Sequence, residues 1–132
     1  MRADIARHKP PAGPLDVKLL PGGLVDLEFA VHILQLTRGV GLSPDLGEAI
    51  AALIAQGLVP PEIAAAHDFL TRLLVTMRLI APGGHLPGPA SCALLARALH
   101  LRDCDHVVAR LDAVRQEVRQ LWDRLERTGN DA

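Results

Sequence analysis

Residues 103–126, DCDHVVARLDAVRQEVRQLWDRLE, decide the fold. Val107, Leu111, Val114, Val118, Leu121 and Leu125 recur at alternating steps of four and three, the heptad spacing that gives a helix one apolar side. Arg110, Arg115, Arg119, Arg124 and Arg127 interleave with Asp112, Glu117, Asp123 and Glu126 around that stripe. Charges so mixed read as a solvated, salt-bridged face, with a docking face for an acidic partner as the alternative. So regular a stripe also suits self-association. Packing inside the chain's own bundle is preferred, because the preceding segments carry stripes that need a partner.

Working outward, Pro61 opens a helix whose apolar positions 63, 66, 70, 73, 77 and 80 step by three and four. Ser43 is expected to cap an earlier helix, with Pro44 at its first position and Leu46, Ile50, Leu53 and Ile54 as its stripe, ended by Gly57. Another helix starts at Gly22–Leu24 and stops at Gly39, a residue suited to the left-handed turn after a helix end. A shorter one runs from about Pro89 to Leu101, and the last begins near Asp103. Residues 15–20 alternate apolar and charged and read as an extended lead-in. The fold class is therefore all-α, an antiparallel helical bundle of about five helices with a short extended lead-in. Residues 1–132 form one domain: 1–20 as lead-in, 21–128 as helices.

Composition agrees. Of 132 residues, 23 are Leu and 19 Ala, whereas Ile, Val and Thr together number 20, a helix-forming stock. Phe29, Phe69 and Trp122 are the aromatic residues, and Tyr is absent, which argues against a β-sandwich or an aromatic platform for bases. Net charge is −1, from 14 basic and 15 acidic residues, so no basic footprint for nucleic acid exists. The uncharged run Leu79–Ala96 is broken by six Pro or Gly residues and cannot be a membrane helix. Met1-Arg2-Ala3-Asp4 lacks the apolar core of a signal peptide. Two cysteines imply no disulfide framework and fit two thiols in a cytoplasmic protein. Cys92, His100, Cys104 and His106 match no zinc spacing, and Asp103-Cys104-Asp105 reads as a helix cap and a first-turn acid. His8, His32, His67 and His85 share no spacing, and His67 reads as a packed, hydrogen-bonded residue.

One stretch exceeds what a bundle needs: Lys18-Leu19-Leu20-Pro21-Gly22-Gly23-Leu24-Val25-Asp26-Leu27-Glu28-Phe29. Gly22 and Gly23 at a helix start would leave amide N–H groups open to a phosphate or carboxylate at the positive end of the helix dipole. Lys18 would add a point charge there. Asp26 shares a helix face with Phe29, Ala30 and Ile33, while Glu28, His32 and Gln35 share the polar face. Asp26 therefore reads either as a first-turn acid satisfying free N–H groups or as part of an anion or metal site. Lys18, Gly22 and Gly23 are the candidate anion contacts; Asp26 and Glu28 are the candidate cleft-facing acids.

Lys-x-x-Pro-Gly-Gly-Leu-Val-Asp-Leu-Glu-Phe-x-x-x-x-Leu-Gln-Leu, residues 18–36, resembles the helical domain of the bifunctional glutamine synthetase adenylyltransferase/adenylyl-removing enzymes. Val25-Asp26 matches the version found in the adenylylating C-terminal half of that family. Only residues 16–36 are specific; Leu86-Pro87, the helix lengths and the closing helix agree more loosely. The resemblance implies a piece of a larger nucleotidyltransferase, with Met1 an internal residue, that supports ATP-dependent AMP transfer to a tyrosine of glutamine synthetase. It implies Mg²⁺ and ATP for the full-length enzyme and none for this chain alone. The implied partners are an upstream nucleotidyltransferase domain, glutamine synthetase and the PII signal protein. The family's Gly-Ser followed by Asp-x-Asp is missing here: no Gly-Ser occurs, and the one Asp-x-Asp, Asp103-Cys104-Asp105, reads as a helix start, so no catalytic residue is expected within these 132 residues and the chain alone is expected to be inactive. The alternatives are a non-catalytic helical module that binds a protein partner, and the helical domain of a related PII uridylyltransferase.

Overall fold

The computed structural model describes residues 15–80 and 87–131, with side chains described through residue 127 of the last helix. The expectations placed on Met1, His8, His85 and Leu86 lie outside the described residues. Five helices follow in order: α1 (Leu24–Arg38), α2 (Leu46–Ala55), α3 (Glu62–Ile80), α4 (Pro89–Ala98) and α5 (Cys104–Asp131). No strand occurs among the described residues, and the fold is an all-α helical bundle.

The closing helix is the spine. Val107, Leu111, Val114, Val118 and Leu121 are buried, and Leu125 is half-buried against the same core. Its main partner is α3, which buries Ile63, Ala66, Phe69, Leu70, Leu73 and Met77. The stripe that could have served self-association is thus used within the chain, each fully buried aliphatic side chain contributing roughly 1.5–3 kcal/mol of transfer free energy. Helix α1 packs on α2, α3 and α5 through Leu24, Leu27, Ala30, Val31 and Leu34. Helix α4 packs on α3 and α5. No helix among the described residues is long and apolar enough to cross a membrane.

Several local expectations are corrected. The lead-in is not extended: the Leu20 N–H donates to Asp16 O at 3.0 Å and the Leu19 N–H to Asp16 Oδ1 at 3.3 Å, folding residues 16–20 into a turn. That turn buries Leu15 and Val17, which alternation alone could not foresee. The cap of α2 is Asp45, whose Oδ1 accepts the Glu48 N–H at 2.9 Å. Ser43 instead accepts the Asp45 N–H and donates its hydroxyl to Glu48 Oε2. Helix α3 starts one residue after Pro61, and α4 ends at Ala98, with His100 in the left-handed region at φ 58°. Gly39, at φ 65°, ends α1 as expected.

The cysteines are also corrected. Cys92 and Cys104 form a disulfide, with Cα atoms 5.5 Å apart. Cys92 lies in the first turn of α4 and Cys104 opens α5. The short return through residues 99–103 brings the two helix starts side by side, a proximity that counting cysteines does not reveal.

Candidate functional site

The turn Pro21-Gly22-Gly23 that opens α1 is a joint, built from three directions. From below comes the lead-in: Leu20 O accepts the Gly23 N–H at 2.8 Å, Val17 O the Leu24 N–H at 2.8 Å, and Lys18 O the Val25 N–H at 3.1 Å. From within comes Asp26, whose Oδ2 accepts the Gly22 N–H at 2.7 Å. The amides of residues 22–25, the positive end of the helix, therefore each have a protein acceptor. This is the first-turn role anticipated for Asp26, whose residue is 6% exposed.

From the side comes α5. Arg115 Nε donates to Pro21 O at 2.7 Å, and Trp122 Nε1 donates to Asp26 O at 2.8 Å. Residues 115 and 122 are seven apart, so both side chains leave α5 on the side facing α1. Gly22 is required twice over. Its φ is 78°, and a Cβ there would lie 2.4 Å from Arg115 O, inside contact distance. A Cβ at Gly23 would lie 2.2 Å from Val17 O. Sequence reasoning missed Arg115 and Trp122. Arg115 was placed on the solvated face; in the structure it anchors the joint and holds Asp112 at 3.6 Å. The available signal was its seven-residue spacing from the single Trp.

The side chains of the other candidate residues lie outside this joint. Lys18 and Glu28 are exposed, Lys18 on the lead-in turn and Glu28 on the outer side of α1. Of the five candidates, the structure brings together Gly22, Gly23 and Asp26, and leaves Lys18 and Glu28 at the surface. Glu28 belongs to a groove of about 490 Å³ lined by His32, Gln35, Leu36, Leu42, Ser43, Pro44 and Leu46. Gln35 holds the groove's floor by donating to Gly41 O and Ser43 O, and the His32 ring hydrogen-bonds Gln35 Oε1 at 2.9 Å. Leu36 and Leu42 flank it at 85% and 70% exposure, values unusual for leucine.

Elsewhere, two carboxyls are perturbed. Hydrogen bonds from the His106 side chain and backbone hold Asp103 below the ordinary aspartate range, so Asp103 serves as the cap of α5. Burial pushes Glu117 above the ordinary glutamate range, and its Oε2 has no hydrogen-bond partner among the described residues. Arg110 leaves the solvated face to lie over the Phe69 ring, 5.9 Å from its centroid. His67 is half-buried beside Gly47. Among the described residues no three His, Cys, Asp or Glu side chains converge to hold a metal ion.

A helical bundle whose first helix is bolted to its last through a Gly-Gly turn defines the class, and comparison with known proteins places it. Residues 1–126 match the family model described as GlnD PII-uridylyltransferase, and the chain belongs to that family. Its curated relatives include the bifunctional glutamine synthetase adenylyltransferase/adenylyl-removing enzymes of three bacteria. That of Mesorhizobium japonicum is 32% identical over 98% of this chain and 14% of the relative. That of Rhizobium meliloti is 35% identical over 92% of this chain and 14% of the relative. That of Caulobacter vibrioides is 48% identical over 60% of this chain and 8% of the relative. The chain thus spans about a seventh of the length of the first two relatives. No solved structure matches it.

Proposed function

We propose that this bundle is the helical domain of a glutamine synthetase adenylyltransferase and supports ATP-dependent transfer of AMP to a tyrosine of glutamine synthetase. The observation that carries the reading is the similarity to two such enzymes over more than nine-tenths of the chain, a span that includes the Gly-Gly-x-x-Asp joint. The chemistry belongs to an upstream nucleotidyltransferase domain. The described residues supply no cluster of metal ligands, and the amides at the start of α1 already serve Asp26 and the lead-in. In this reading Mg²⁺ and ATP are assigned to the full-length cytoplasmic enzyme.

In this reading the bundle's work is positional. Gly22, Gly23 and Asp26 fix the angle at which the chain enters α1, and Lys18 and Glu28 present opposite charges on either side of that entry. They are the contacts to the neighbouring domain, to glutamine synthetase or to PII. The description of the matching family model favours a second reading, the helical domain of a PII uridylyltransferase.

The full-length protein separates the two readings. Incubated with glutamine synthetase, PII, Mg²⁺ and either labelled ATP or labelled UTP, it should place AMP on glutamine synthetase. Label from UTP on PII would select the uridylyltransferase. A native protein of only the size of this chain, carrying neither label, would leave a protein-binding module.

A further inference from the structure

We propose that Cys92 and Cys104 are a reversible thiol–disulfide site that sets how firmly α4 is held to the bundle, with low-molecular-weight disulfides of the glutathione type as its oxidising substrate. The inference is independent of the adenylyltransferase reading.

Three observations converge. First, these 132 residues hold two cysteines, and each is the other's partner. Their Cα atoms, 5.5 Å apart, lie within the range a disulfide spans without backbone movement. Second, both residues are half-buried, so the bridge is not sealed within the core. The reduced state is accommodated too. Cys92 Sγ lies 3.5 Å from Pro87 O, an acceptor for the thiol hydrogen once the bridge opens.

Third, the bridge ties down the first turn of α4, away from the side chains that the helix itself buries. Helix α4 has ten residues, below the length at which an isolated helix is stable in water. It buries Leu95 and Ala96, with Leu99 just beyond its end, all toward its C-terminal half. In its N-terminal half Pro89, Ala90 and Ala93 are exposed, and the covalent link from Cys92 to the start of α5 is the tie. Closing the bridge restrains that half; opening it leaves the half on its own hydrogen bonds.

The chemistry balances by exchange. One protein thiolate attacks a glutathione disulfide sulfur, expelling a glutathione thiolate and forming a mixed disulfide. The second protein thiolate then attacks the protein sulfur of that mixed disulfide and expels the other glutathione. The protein gives up two electrons and two protons, and one glutathione disulfide becomes two glutathione thiols.

The test equilibrates the full chain in glutathione buffers from fully reduced to fully oxidised, alkylates free thiols, and weighs the products. Amide hydrogen exchange is followed in parallel. The expected result is conversion from two alkylated thiols to none, with amides of residues 89–98 exchanging roughly tenfold to hundredfold faster in the reduced protein. The cores of α3 and α5 should exchange alike in both states. A Cys92→Ser/Cys104→Ser variant should match the reduced protein and ignore the buffer. Thiols that stay alkylatable in the oxidised buffer, glutathione stably retained on one cysteine, or equal α4 exchange in both states would overturn the proposal. So would loss of protection in every helix on reduction, which would make the bridge a global staple.

Discussion

The two faces of α1 use the same short motif in opposite ways. On the inner face Gly22, Gly23 and Asp26 are consumed by the fold: each main-chain donor of the turn has an acceptor, and Arg115 and Trp122 close the joint from α5. On the outer face Glu28, His32 and Leu36 line an open groove, and no packing requirement fixes Glu28 or Leu36. A residue that looks functional in a motif can thus owe its place to backbone geometry. The residues left at the surface are the ones that the fold does not use.

Substitutions that attack the joint should sharpen this division most. Gly22→Ala places a Cβ against Arg115 O in a left-handed backbone, so a loss of about 3–5 kcal/mol is expected in urea denaturation. Asp26→Ala orphans the buried Gly22 N–H, and Trp122→Phe removes the indole's bond to Asp26 O; each should cost about 1–3 kcal/mol. On the other face Glu28→Gln and Leu36→Ala should change stability by no more than about 0.5 kcal/mol. Equal losses on both faces would break the comparison.

A smaller effect concerns pH. Glu117 is raised in the folded state, so the folded chain holds its proton more tightly than the unfolded one. Stability should decline as pH rises from the ordinary glutamate value through the raised one, and Glu117→Gln should flatten that decline in denaturation curves. Asp103 works in the opposite sense: its contribution is present above the unfolded value and is lost as acid titrates it through its lowered one. In the stabilising direction, His100→Gly should relieve the left-handed residue after α4 and raise stability by about 0.5–1 kcal/mol.

The helices were legible because apolar spacing is local: the stripes of α3 and α5 are read residue by residue, and every position is buried except Ile80 and Leu125, which are half-buried against the same core. The joint was legible only in part. Asp26 stood out as an acid on an apolar face, but its partner, the Gly22 amide, became evident only once the turn was formed. Arg115 and Trp122 approach across 94 and 96 residues, and no periodicity encodes such a meeting. The disulfide was hidden for the same reason, since it depends on how α4 returns to the start of α5. Lys18 and Glu28 carry the motif's surface charge, and their function must be read from what they meet.

The most direct test of the central claim takes the full-length protein with Lys18→Ala and Glu28→Gln combined. Transfer of AMP from ATP to glutamine synthetase is measured beside the urea midpoint. The account predicts an unchanged midpoint with transfer reduced several-fold. An unchanged midpoint with wild-type transfer would contradict it, leaving the motif a device for folding alone.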